Sequence, residues 1–330
     1  MDIAPLRWCF IGTGHLAEKV AKQLLPSGRH VIVSCFSRRA ESREAFAKRF
    51  GGKPCASSLE AMNLPEVDAV YIVTPHNTHY CYAKEAIEAG KPCFVEKPFT
   101  VRADETKELI ALAQEKGVYL AEAMWTWFSP LAHQVKEWVD DGTLGEIQKA
   151  RITFNVYSMG YGPRVRDPHR AGGALLDLGV YPITYAYRLF GKPTEIRCQG
   201  KLKDGIDLGE VVELAYPNGF VATAEANISS FRGMQWLRLE GSKGSVKIFI
   251  PHSASKAKFV PKKGKPIFAM GETTYLNEFD RVREDILAGK KESELVPLSC
   301  TVDVMEILDE CRKQMGLIYP FEPGYPGKTA

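Results

Sequence analysis

The chain has no marked excess of either charge: 43 basic residues stand against 40 acidic ones over 330 positions, a formal balance of +3. That argues against nucleic acid as the main partner, because such proteins gather a basic face or stripe. No apolar run approaches the roughly 20 residues of a membrane span, so no membrane association is expected. The first residues, Met1-Asp2-Ile3-Ala4-Pro5, lack the basic start and long apolar stretch of a secretory leader, and a cytoplasmic location is the expectation. Eight cysteines, at 9, 35, 55, 81, 93, 198, 300 and 311, form no C-x-x-C pair and no zinc-ligand spacing. Buried, reduced thiols and no metal are expected. What remains is ordinary globular composition, 45% hydrophobic and 25% charged, in a chain long enough for two domains that each bury a core.

The first third alternates strand and helix. Residues 6–11 read as a short strand, 15–25 as a helix ended by Pro26-Ser27-Gly28, 30–36 as a β-branched strand and 40–50 as an amphipathic helix stopped by Gly51-Gly52. Ser57-Ser58-Leu59-Glu60 has the spacing of a capping box. Strands at 68–73, 92–95 and 118–122 then alternate with helices at 79–89 and 104–116. Strands separated by helices of this length predict a parallel sheet covered on both faces, doubly wound, with ligands outside the carboxyl ends of the strands. The fold class is α/β: a Rossmann domain over residues 1–123, then an α+β domain over 124–330.

In the second part, strand-like runs at 147–156, 195–200, 211–216, 221–228, 237–241 and 245–250 alternate apolar and polar residues, as a sheet with unlike faces does. Helical patterns occupy 131–140, 182–190, 275–288 and 301–315. Residues 253–271, rich in Lys and Pro, read as a long mobile excursion.

Four loops carry the chemistry. Gly12-Thr13-Gly14-His15-Leu16-Ala17 is G-x-G-x-x-A between the first strand and the first helix. Gly12 permits the tight turn, Gly14 leaves space for a pyrophosphate, Ala17 allows close packing, and the helix start offers N–H groups to phosphate. At the end of the second strand, where an NAD site places Asp or Glu, the chain has Ser37-Arg38-Arg39. A guanidinium suits a 2′-phosphate, so NADP(H) is favoured with Ser37 and Arg38 as readers, NAD(H) remaining possible. Thr74-Pro75-His76, with His79 beyond, and Glu96-Lys97-Pro98 follow later strands and are expected beside the cofactor. Two histidines without a third ligand do not make a metal site. Finally, Asp177 and Tyr181 stand four residues apart in a glycine-rich segment, on one face if it is helical. A tyrosine can give the proton that hydride transfer to a carbonyl requires, if a cation such as Lys97 lowers its pKa. On the residues alone, an acid and a phenol there are more readily structural.

Together these motifs resemble the glucose-fructose oxidoreductase, inositol dehydrogenase and rhizopine-catabolism family, Gfo/Idh/MocA. The resemblance rests on Gly12-Thr13-Gly14, Thr74-Pro75 with His79, Glu96-Lys97-Pro98, and residues 172–181 (Gly-Gly-Ala-Leu-Leu-Asp-Leu-Gly-Val-Tyr), and it spans essentially the whole chain. Tyr181, with Glu122-Ala123-Met124-Trp125-Thr126, is most similar to the dihydrodiol dehydrogenase and NADP-dependent xylose dehydrogenase branch. That branch tends to carry W-T-R-F where this chain has Trp125-Thr126-Trp127-Phe128, which implies a lost cationic contact.

The resemblance implies Lys97 as the catalytic lysine, with Asp177 and Tyr181 as acid and proton donor. It also implies an open, mainly antiparallel second sheet that builds a homodimer or homotetramer, and a substrate cleft. Trp125, Phe154, Tyr157, Tyr161, Arg166, His169 and Phe279 are candidate walls for a sugar, polyol or cyclic trans-diol. Two alternatives stay open. One is a ketosugar or nucleotide-sugar reductase, with Arg164, Arg166, His169 and Arg170 on phosphate; the other is a non-catalytic dinucleotide or sugar sensor.

Overall fold

The structure, a computed structural model, describes residues 4–157, 162–231 and 233–325. It divides into two compact units, Met1–Trp125 with Thr274–Val302, and Thr126–Thr273 with Asp303–Ala330.

The first unit contains strands β1 (Leu6–Ile11), β2 (His30–Phe36), β3 (Lys53–Pro54), β4 (Ala69–Ile72), β5 (Cys93–Glu96) and β6 (Leu120–Ala123). Helices α1 (His15–Leu24), α2 (Ala40–Phe50), α3 (Ser58–Met62), α4 (His79–Glu88) and α5 (Ala103–Lys116) connect them. All neighbours pair in parallel, in the order β3-β2-β1-β4-β5-β6. This is the expected doubly wound sheet, and its order reverses between β1 and β4, the switch point at whose carboxyl ends such sheets bind ligands. The two-residue period of β1 builds both cores. Leu6, Trp8 and Phe10 join Tyr71, Phe94 and the inner residues of α1 on one side. Cys9 and Ile11 join Ile72, Val95 and the inner residues of α4 on the other. At α3, Ser57 Oγ accepts the Glu60 N–H at 3.1 Å, but Glu60 reaches back to the Ala56 N–H at 3.0 Å, one residue before the expected box.

Helix α8 (Tyr275–Leu287) has the amphipathic pattern read from the sequence, yet it belongs to the first unit rather than to a continuous second domain from residue 124. Its Phe279 meets Trp8, Tyr71 and Phe94 edge-on, with ring centroids 4.9 to 5.2 Å apart. A helix that fills a core at long sequence separation shows its period in the sequence but not its partner.

The second unit holds α6 (Pro130–Asp140), β7 (Ile147–Tyr157), α7 (Val180–Phe190), β8 (Glu195–Lys203), β9 (Ile206–Ala215), β10 (Val221–Ser230), β11 (Gln235–Gly241) and β12 (Gly244–Phe249). Two more strands, β13 (Lys256–Pro261) and β14 (Ile267–Met270), follow, and α9 (Leu298–Met315) spans the dividing point. The eight strands form one sheet, β14-β13-β12-β11-β7-β10-β9-β8, antiparallel except where β7 meets β10.

The segment expected to be a mobile excursion is therefore an edge hairpin. Ala257 and Phe259 are buried while Lys256 and Lys258 point outward, so charge on the exposed face of β13, which lies between β12 and the edge strand β14, hid the period. Among the described residues no helix is long and apolar enough to cross a membrane, and no three His, Cys, Asp or Glu side chains gather as a metal site.

Candidate active site

Gly12 follows β1 with φ +111°, and a Cβ there would lie 2.4 Å from the carbonyl oxygen of Val73, at the end of β4. Its glycine is demanded by the protein itself, where the ends of β1 and β4 close up. Gly14 is different. It is the N-cap of α1, extended, exposed and without a side-chain cap, and a Cβ there would meet nothing within 4 Å. The first turn of α1 thus presents N–H groups to an open space, the arrangement that receives phosphate. Thr13 is buried, its hydroxyl 2.8 Å from that of Ser42 at the start of α2. Ala17 is fully buried against the sheet, while His15 is exposed and Leu16 half-buried.

After β2, Ser37 is half-buried and donates its hydroxyl to the Arg39 carbonyl at 3.1 Å. Its own carbonyl accepts Arg43 Nη1 at 3.2 Å, a fixation the sequence did not show. Arg38 is exposed, and Ser37-Arg38-Arg39 contains no carboxylate to repel a 2′-phosphate.

The loops after β4 and β5 are tied together. His79 is fully buried, with Nδ1 2.9 Å from the Pro98 carbonyl and Nε2 2.9 Å from the Thr74 carbonyl. Burial, followed by the neighbouring His76, pushes its pKa down to about 3, so a neutral ring donates to one carbonyl only. Both nitrogens face backbone, which corrects the expectation that His79 contacts a cofactor: it is a staple between two loops. His76 is buried beside it, ring centroids 5.8 Å apart. Thr74 is half-buried and accepts the Thr78 hydroxyl at 2.9 Å, and Pro75 carries the second acceptor for that hydroxyl at 2.7 Å. Glu96 is buried as well. It accepts the Tyr71 hydroxyl at 2.5 Å and the Lys97 backbone N–H at 3.3 Å, so its carboxylate holds the loop that carries Lys97, itself half-buried.

In the second unit, residues Leu175–Gly179 form a π-helical turn that runs into α7. Single π-turns recur at functional sites, and their i→i+5 bonding widens the turn that carries Asp177 just before Tyr181. Asp177 is 3% exposed and pairs with Arg164 at 2.9 Å. Tyr181 is half-buried and stacks on Phe154 of β7, centroids 5.2 Å apart and planes 24° from parallel. Arg164 was anticipated only as a phosphate ligand for the alternative reaction; nothing in the sequence marks it as the partner of Asp177.

The expected substrate walls divide. Phe279 is 0% exposed in the first unit's core and is removed from the list. Phe154, 1% exposed, backs Tyr181 rather than offering a face. Trp125 is half-buried and stacks on Tyr275 at 5.0 Å. Arg166 and His169 are exposed. Tyr161 and the side chain of Tyr157 lie outside the described residues. Trp127, where a cation was implied, is buried, and the Arg188 guanidinium from α7 covers its ring at 4.9 Å.

A profile described as "Oxidoreductase family, NAD-binding Rossmann fold" (GFO_IDH_MocA) matches residues 6–124, and one described as "GFO/IDH/MocA C-terminal domain" matches 132–247. A trans-1,2-dihydrobenzene-1,2-diol dehydrogenase of Mus musculus is 33% identical over 329 residues, covering 96% of this chain and 98% of its own. A D-xylose 1-dehydrogenase (NADP(+)) of Hypocrea jecorina is 30% identical over 370 residues, covering 96% of this chain and 93% of its own. Among solved structures, KijD10, a 3-ketoreductase from Actinomadura kijaniata in complex with NADP and TDP-benzene, superposes with a TM-score of 0.85. At 23% identity, covering 94% of this chain and 98% of the other, it supports the fold.

Proposed function

The chain belongs to the Gfo/Idh/MocA family of oxidoreductases, and from that premise we propose an NADP(H)-dependent enzyme acting on a secondary alcohol or ketone carbon of a sugar, polyol or cyclic trans-diol. The observation that carries the cofactor is the open notch at Gly14. The protein has no packing need for a glycine there, so the missing side chain makes room for something that is not protein. Exposed Arg38 and the absence of a carboxylate beside it support the phosphorylated dinucleotide. When bound, the nicotinamide supplies or accepts the hydride at the reacting carbon. Gly12 to Leu16, Thr74, Pro75 and His76 would bind and orient it.

The chain's own chemistry is movement of a proton. In reduction the new alkoxide oxygen takes the proton of the Tyr181 hydroxyl; in oxidation the phenolate of Tyr181 takes the proton of the substrate hydroxyl. Lys97 would stabilise the phenolate and hold the substrate oxygen, and Asp177 would orient the reacting oxygens. Phe154 fixes the plane of the Tyr181 ring and Arg164 restricts Asp177, which is how a site keeps such groups within reach of one geometry. Trp125 and Arg166 remain the proposed contacts to substrate.

The names of the two relatives, a cyclic diol dehydrogenase and a pentose dehydrogenase, support this substrate class. The nucleotide-sugar alternative is weaker, since Arg164 pairs with Asp177 and Arg170 with Asp167, two of the four cations it requires. We further propose assembly into a homodimer or homotetramer through the exposed face of the second sheet.

A panel of aldoses, inositols and cyclic diols, followed by absorbance of the reduced cofactor with NADP and with NAD, tests the reading. Tyr181→Phe and Lys97→Met are expected to lower kcat by about a hundredfold to ten-thousandfold, with NADPH affinity largely kept. Arg38→Ala is expected to raise KM for NADP and leave that for NAD unchanged. Near-normal turnover in the first two variants would overturn the mechanism.

A further inference from the structure

The π-turn that carries Asp177 and leads into Tyr181 has one glycine shortly before it and another as its last residue, and each glycine faces a buried carboxyl. A Cβ on Gly173 would lie 2.1 Å from Asp207 Oδ1, and a Cβ on Gly179 would lie 2.4 Å from Glu210 Oε1. Both acids come from β9 and are 0% and 4% exposed. Asp207 Oδ2 accepts the N–H of Leu175, the first residue of the π-turn, at 2.7 Å. Asp207 Oδ1 and both oxygens of Glu210 are buried without a donor. An ionised carboxylate only accepts, whereas a protonated one also donates, so a proton shared by the pair joins two of these three oxygens in one O–H···O bond. Neither group takes part in the proton transfer assigned to Tyr181.

Resting on the proposed reading of Asp177 and Tyr181 as reacting groups, we propose that Asp207 and Glu210 are positioning residues. They share one proton and clamp the π-turn at both ends, fixing where Asp177 and Tyr181 stand. Burial first, and then Asp207, hold the Glu210 carboxyl well above the usual carboxylate range. The other titratable groups that face it are Cys198 on β8, Glu225 on β10, Cys311 on α9 and Tyr319 beyond α9. None of these is a cation that would favour the ionised form.

The clamp predicts that charge is dispensable and shape is not. Glu210→Gln and Asp207→Asn, which keep shape and hydrogen bonding without charge, are expected to hold kcat within about threefold. Glu210→Leu is expected to lower kcat by about a hundredfold, the usual effect of a small misplacement, with substrate KM and NADPH affinity changed far less. A Leu variant with normal kcat, or a Gln variant as impaired as the Leu variant, overturns the proposal.

Thermal unfolding gives a second arm that stands even if Glu210→Leu fails to fold. A carboxyl whose folded pKa is raised contributes stability fully below its unfolded pKa of about 4.3, and loses it as pH rises toward the folded value. Glu210→Gln should therefore melt level with wild type at pH 4 and above it at pH 8. A Gln variant that melts below wild type at pH 8 overturns the shared proton. Wild type that turns over nothing on the substrate panel defeats the enzymatic reading instead, and leaves the melting comparison to decide the pair.

Discussion

Glu122 stands on β6 with 3% of its surface exposed, accepting the Thr301 hydroxyl at 2.8 Å. Burial, opposed by that hydrogen bond and reinforced by Glu96, pushes its pKa up to about 7. Below about pH 7 the neutral acid is the favoured form in the folded protein. Its contribution to stability is complete below about pH 4.3 and is lost as pH rises through 7, the loss reaching about 4 kcal/mol at the alkaline end. Glu122→Gln is expected to match wild type in urea titrations at pH 4 and to exceed it at pH 8; a wild type that stays the more stable at pH 8 would contradict this account.

At the scale of the single residue, the sequence was legible where backbone geometry or motif order limited the choice. Gly12, Gly14 and Lys97 were placed after their strands by the order of apolar runs and glycine turns, and their roles are proposed. Arg164, Asp207 and Glu210 were not, because a partner reached across a fold has no spacing by which to recognise it. His79 was misread for a related reason: its ring nitrogens meet two carbonyls, and backbone acceptors leave no mark on a sequence.

Elements were more legible than their partners. Strands β1, β2, β4, β5 and β6 and the helices between them follow from apolar period and glycine punctuation, and the double winding follows from the crossover rule; the two exposed residues of β3 carry no such signal. The hairpin of β13 and β14 was hidden by lysine on its outer face, and the π-turn looked like ordinary helix because the widened turn adds no residue type of its own. Helix α8 shows the energetic side. Its Phe279 is enclosed by Trp8, Tyr71, Phe94 and His30, and nothing in that cluster can collapse cheaply into the volume of a lost ring. Phe279→Ala is expected to cost about 3 to 5 kcal/mol in urea unfolding, while a loss below about 1 kcal/mol would show that α8 is not part of this core. A loss of activity in that variant would follow from stability and not from a substrate contact.

For the whole molecule, the near balance of charge and the two-unit division set the terms. One face of the second sheet leaves Val211, Val221, Phe249, Val260 and Phe268 between 41% and 51% exposed, spread over five strands. Exposed apolar residues in such number on one face are what supports the proposed association surface. Light scattering is expected to give two or four times the 36.8 kDa chain mass, and Val211→Lys with Phe249→Lys to return the single-chain mass. A wild type that elutes as a single chain at micromolar concentration would remove the proposed assembly.

The return of Thr274–Val302 to the first unit also sets the order in which the molecule can be finished on the ribosome. Residues 1–125 are made first, but Trp8, Tyr71 and Phe94 have no Phe279 to meet until 154 further residues, 126–279, have been added. At about 5 to 20 residues per second, that interval lasts roughly 8 to 30 s. During it, the nascent sheet shows an uncovered aromatic face, the kind of surface that holding chaperones bind. The unit that starts first is therefore among the last to close.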